Sequence, residues 1–215
     1  MQDLVTRPDS GDRAALVRRG RQLEYLTLGS CALEALVSIV AGVAARSVAL
    51  ISFGFDSLIE VTSGGAVLWR LHRDPDEASR ERVERNTLRI VGWCFLALAA
   101  YVTYDSAKAL FFREIPRPSL PGVLIAVFSV LTMPVLSRAK REVAVAIGSA
   151  ALGADAKQTE LCSYLSAILL GGLLLNALMG WWWSDPLAAL VMVPVIVKEG
   201  VGALRGRSCC AGNCD

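Results

Sequence analysis

Residues 47–70 read SVALISFGFDSLIEVTSGGAVLWR, an apolar run that carries two carboxylates, Asp56 and Glu60. It is long enough to cross a bilayer as a helix. A carboxylate at membrane depth costs several kcal/mol, roughly 2.5–3.5 on insertion scales, so it normally faces a partner, an ion or water. Positions i and i+4 point the same way off one helix. Two like charges on one face repel unless a proton or a metal cation lies between them. The pair therefore reads as a cation site.

Further apolar runs lie on either side of this one. The chain has 215 residues, 54% of them hydrophobic, against 45–50% in an average soluble domain. The excess falls in blocks at roughly 23–44, 47–69, 88–112, 120–136, 149–175 and 186–204. Each is close to the ~20 residues a helix needs to span hydrocarbon. The expectation is an all-α integral membrane protein, a bundle of six transmembrane helices (23–204). A basic N-terminal segment (1–22) precedes the bundle and a cysteine-rich tail (205–215) follows it. Nothing at the N-terminus reads as a cleavable leader, because Arg13, Arg18, Arg19 and Arg21 stand ahead of the first run.

Cations set the expected topology. Arginines crowd the N-terminal segment and the stretch from Arg70 to Arg89. Arg138, Lys140 and Arg141 follow the fourth run, and Arg205 and Arg207 follow the sixth. The opposite connections hold only Arg46, then Arg113 and Arg117, then none in WWWSDP. The positive-inside rule puts both termini in the cytoplasm, with Trp181, Trp182 and Trp183 in the outer aromatic belt. The setting that follows is the plasma membrane.

Polar residues recur inside the runs. Ser30, Cys31, Glu34, Ser38 and Gly42 share a stripe on the first helix. Glu34 there is suited either to proton traffic or to a hydrogen bond with a serine on a neighbouring helix. On the fifth, Asp155, Gln158, Thr159 and Cys162 line one face, and Glu160 points roughly the other way. Counting 1.5 Å per residue, Asp56–Glu60 and Gln158–Cys162 reach similar depths. Two carboxylates, an amide and a thiol would then surround one divalent ion. The thiol favours a borderline or soft metal, Zn or Cd, over Mg or Ca. Cys209, Cys210 and Cys214 in the tail are expected as reduced thiols that contact metal transiently.

Blander readings stand beside these. Asp56 and Glu60 could be glue between helices, with Lys108 or Lys157 as the cation within the spans. Cys162 could be a packing residue, and Cys31 and Cys94 read as packing. Asp105 and Lys108 are expected to neutralise each other at i,i+3, Asp185 to cap the start of the sixth helix, and the Gly171–Gly172 pair to allow close helix approach. Residues 138–157 read as a polar-to-apolar entry into the fifth helix. No phosphate-binding glycine loop or nucleophile–base pair suggests an enzyme, and no cofactor is expected.

FDSLIE on the second run, SAALGADAKQTELCS on the fifth and WWWSDPLAAL at the sixth resemble the cation diffusion facilitator family of heavy-metal exporters. That family carries D-x-x-x-D on its second span, A-D-A-x-H-x-x-x-D on its fifth and A-D-P-x-x-A-L at its sixth. The resemblance runs from about Leu23 to Leu204. It places Asp56 and Glu60 at the second-span pair and Asp185 at the phrase opening the sixth span. Gln158 and Cys162 fall where the family has His and Asp. Gln158 cannot titrate, and the single histidine, His72, lies in a connection. Glu160 or Asp155 is then the expected substitute ligand. The family's cytoplasmic C-terminal domain has no counterpart after Arg207, and the cysteine tail is expected to take over part of its role.

The resemblance implies a secondary transporter that exports a divalent heavy metal in exchange for protons, by alternating access and as a homodimer in the lipid bilayer. Nucleic acid is not an expected partner. The competing reading is a non-transporting membrane metal sensor or assembly protein on the same fold, for which the tail cysteines would be essential and Asp56 dispensable. A third is a transporter whose selectivity has moved to another cation.

Overall fold

A computed structural model describes residues 10–72 and 77–205; side-chain placement within 67–88 is described only at Leu68. The three tail cysteines lie outside the described residues. Six helices follow one another: α1 (Ser10–Ala45), α2 (Val48–His72), α3 (Glu77–Phe112), α4 (Leu120–Ile147), α5 (Ala150–Met179) and α6 (Ser184–Leu204). Their main contacts form a ring in the order α1, α2, α3, α6, α5, α4 and back to α1, and α2 touches α5 across its middle. The helix with the carboxylate pair and the helix with the Gln158–Cys162 face therefore meet inside the ring.

The connections are short and chemically marked. Ser119 caps α4 by accepting from Gly122 N at 3.1 Å, and Ser149 caps α5 by accepting from Leu152 N at 3.4 Å. Gly148 and Gly180 take left-handed conformations, φ 67° and 66°, where α4 and α5 end. The sequence reading ends the fourth run at Leu136, whereas α4 continues to Ile147 and only Gly148–Ser149 separates it from α5. Residues 138–147 are thus helical, not a loop. A buried stripe, Ala126, Ser129, Met133, Ser137, Lys140 and Ala144, carries the helix past the last apolar residues.

Large apolar side chains cover the outside. Leu36, Val40 and Val43 on α1, and Leu124, Leu131 and Val135 on α4, are all exposed. The interior holds many of the serines and carboxylates, so the polarity of a soluble protein is inverted. Among the described residues five helices are long and apolar enough to cross a membrane: α1, α3, α4, α5 and α6.

Only one glycine of the 171–172 pair sits where α5 meets α6. A Cβ at Gly172 would lie 2.6 Å from Ala188 Cβ, while one at Gly171 meets nothing within 4 Å. Gly172→Ala is therefore expected to lower the apparent melting temperature by several degrees, and Gly171→Ala to leave it unchanged. Thermal unfolding followed by size-exclusion of the detergent-solubilised protein would separate the two. Equal effects would show that α5 and α6 are not packed this closely.

Candidate metal centre

The interior polar residues come from stripes at helical spacing. On α1, Gly20, Glu24, Thr27, Cys31, Glu34 and Ser38 occupy one buried row, which extends the stripe read from the sequence by about three turns toward the N-terminus. α2 presents Phe53, Asp56, Ser57 and Glu60 inward, and α5 presents Asp155, Thr159 and Cys162. Among the described residues these stripes bury five carboxylates, Glu24, Glu34, Asp56, Glu60 and Asp155, and a sixth, Asp185, is buried at the start of α6.

These groups form two linked compartments. In the first, Lys140 on α4 is fully buried and donates to Glu24 Oε2 at 3.1 Å, to Asp155 Oδ2, and to Thr159 Oγ1 at 3.5 Å. Thr159 passes the contact on, donating to Glu60 Oε1 at 2.9 Å. In the second, Glu34 Oε2 accepts from Ser57 Oγ at 3.4 Å and from Cys162 Sγ at 3.8 Å. Glu34 therefore bonds a serine on a neighbouring helix, one of the two roles expected for it. Glu34 Oε1, Glu60 Oε2 and Gln158 Nε2 are buried with no hydrogen-bond partner among the described residues.

Asp56 is the least compensated of the acids. It is 6% exposed and makes no hydrogen bond or ion pair among the described residues. The charges that act on it most strongly belong to Glu60, Glu34 and Glu199, all acidic. An uncompensated carboxylate inside a bundle is expensive, and a bound cation is the simplest compensation.

The structure places the sequence-derived candidates as follows. Asp56, Glu60 and Cys162 are buried, and Gln158 is half-buried, one position before Thr159 on α5. The depth match between α2 and α5 holds, because Thr159 touches Glu60 directly. Asp155 is occupied by Lys140, and Glu160 is paired with Arg141 and accepts from Tyr164 OH at 3.2 Å toward the outside. Among the described residues no group of three or more His, Cys, Asp or Glu side chains is drawn together closely enough to hold a metal. The candidate ligands share a compartment without converging on one point.

Three sequence expectations are corrected. The buried cation near the α2 acids is Lys140, not Lys108 or Lys157, and it lies inside the bundle instead of adding to a cytoplasmic loop. Lys108 pairs with Glu114 at 3.0 Å, while Asp105 accepts from Tyr101 OH at 3.3 Å, so the expected Asp105–Lys108 pair does not form. Asp185 does not cap its own helix. Its Oδ2 accepts from Val48 N at 2.9 Å and Ala49 N at 3.4 Å, and its Oδ1 from Ser47 Oγ. It thereby caps α2 from the start of α6.

Sequence reasoning missed Glu24 and Lys140. Lys140 continues a buried stripe at 3–4 residue spacing beyond the end of the fourth run, where a span bounded by hydropathy stops. Glu24 stands in the first turn of its run, where an acid reads as the polar edge of a span, although it continues the buried stripe of α1 toward the N-terminus.

An apolar ring of helices around carboxylates, hydroxyls and a thiol defines a polytopic membrane protein with a cation-attracting core. The chain belongs to the cation efflux family, whose transmembrane-domain model matches residues 25–206. No curated protein matches the chain. Family members are transporters, so this is a multi-pass membrane protein that transports a metal cation.

Proposed function

We propose that the protein exports a divalent cation of the Zn/Cd class from the cytoplasm in exchange for protons. It works as a homodimer in the plasma membrane, with all six helices crossing and both termini cytoplasmic. The observation that carries this reading is Asp56, a buried carboxylate whose strongest charged neighbours are acids, one turn from Glu60 on the helix that touches α5 across the ring.

Each chemical role falls to a named side chain. Asp56 and Glu60 bind the ion as carboxylates, and protonation of either weakens the site and favours release. Cys162 supplies the soft ligand and must lose its S–H proton to do so; Glu34, which accepts that hydrogen bond, is placed to take it. Gln158 offers a neutral oxygen. Thr159 holds Glu60 Oε1, leaving Oε2 free to turn to the ion. Because the ligands stand apart among the described residues, the reading requires α2 and α5 to draw together around the ion. The alternating access expected of the resemblance uses that same pair of helices.

The test is metal uptake into inverted vesicles with Zn, Cd, Co and Mn offered in turn, with and without a protonophore. Zn or Cd uptake that the protonophore abolishes is the expected result. Uptake of no metal would overturn the reading, and uptake insensitive to the protonophore would remove proton exchange from it.

A further inference from the structure

Lys140 is fully buried and surrounded by oxygen: Glu24 Oε2 at 3.1 Å, Asp155 Oδ2 and Thr159 Oγ1 at 3.5 Å. The second oxygens of the same carboxylates, Glu24 Oε1 and Asp155 Oδ1, are buried with no partner among the described residues. The floor is Gly64 of α2, where an added Cβ would meet Glu24 Oε2 at 3.5 Å and Asp155 Oδ1 at 3.6 Å. Two carboxylates and a hydroxyl, all hard donors, one from α1 and two from α5, are the ligand set of an oxygen-coordinated divalent ion such as Mg, Ca or Mn. An ammonium group on a tether now sits at its centre.

The neighbouring compartment differs in kind. It holds Asp56, Glu34 and the Cys162 thiol, and Glu60 stands on the border through Thr159. The two sets of donors are about one helical turn apart on α5, Asp155 and Thr159 against Cys162. An arriving ion would meet both if nothing filled the first.

We infer that Lys140 is a selectivity residue: its ammonium permanently occupies a hard, all-oxygen cation pocket formed by Glu24, Asp155 and Thr159, and so confines the transported ion to the softer compartment beside Cys162. The pocket is a latent divalent-cation site that opens when the lysine charge is removed. The confinement half of this statement rests on the metal-transport reading; the latent pocket does not.

The test uses the full-length protein in detergent, with Mn²⁺ alone as probe and the loss of its free EPR signal as readout. Lys140→Gln is expected to bind one Mn²⁺ per chain more than wild type, at least about tenfold tighter than any Mn²⁺ the wild type binds. Added Mn²⁺ is expected to raise its melting temperature. Lys140→Arg keeps the charge and is expected to bind no extra ion. Should Lys140→Gln fold neither with nor without Mn²⁺, the double variant K140M/E24Q decides, since it removes one charge of each sign and leaves Asp155 to hold a weaker Mn²⁺. A folded variant with no extra Mn²⁺ overturns the inference, even where the wild type moves Zn or Cd. Wild type that moves neither metal, beside extra Mn²⁺ in Lys140→Gln, overturns the transport reading and leaves the pocket standing. In vesicles, Lys140→Gln is expected to let Mn²⁺ compete with Zn uptake, and unchanged competition overturns the confinement.

Discussion

Asp56→Asn is expected to abolish metal uptake while leaving the protein as stable as wild type, or more stable. The two effects have one cause. Asp56 is buried, without a hydrogen bond or ion pair among the described residues, and its strongest charged neighbours are acids. Replacing an uncompensated buried charge with a neutral isostere relieves desolvation and repulsion together. A residue held for packing would behave in the opposite way. Loss of a partner behind a metal ligand costs about 10–100-fold in affinity or activity, so loss of a ligand should reduce uptake at least about 100-fold. The checks are Zn and Cd uptake in inverted vesicles and thermal unfolding in detergent, with Asp105→Asn on α3 as a control that keeps uptake. Substantial uptake by Asp56→Asn would remove Asp56 from the transport site.

Lys140→Met is expected to be among the most destabilising single changes in the chain. It leaves Glu24 and Asp155 buried and facing each other with no cation between them. Removing one partner of a buried ion pair costs about 3–5 kcal/mol. Here two acids share the lost partner, which puts the effect at the upper end. Lys140→Met combined with Asp155→Asn should recover much of the loss, since one acid is neutralised along with the cation. A double-mutant cycle on the melting transition measures the coupling. Additive losses would mean that the pair is not coupled in the folded protein.

The features legible in the sequence were those in which a charge interrupts an apolar run. Asp56 and Glu60 stood out because two acids four residues apart at membrane depth are costly without a proton, a cation or a basic partner beside them. The inward face of α5 followed from periodicity, and the meeting of α2 with α5 from a count of depth. Lys140 was illegible for a physical reason: a lysine just past an apolar run reads as a snorkelling or topology-setting cation. Only the buried row through Ser129, Met133 and Ser137 shows that the helix continues inward. Asp185 was misread because its partners, Ser47 and Val48, lie 138 and 137 residues away in the chain. Local capping rules do not see such contacts.

Asp185 also bears on how the bundle moves. It locks the first turn of α2 to the start of α6, and Arg117 N donates to Ala45 O at 2.8 Å just ahead of the same turn. One end of α2 is thus clamped to both of its surroundings, while Gly64 and Gly65 leave the other half of the helix slim. A rod of 25 residues is about 37 Å long. A tilt of about 10° about the clamped end would carry its far end roughly 6 Å and shift Asp56 by only a fraction of that. Asp56 lies a third of the way from the clamped end and Glu60 halfway, so a swing at one mouth of the bundle reaches the two ligands at half its size or less.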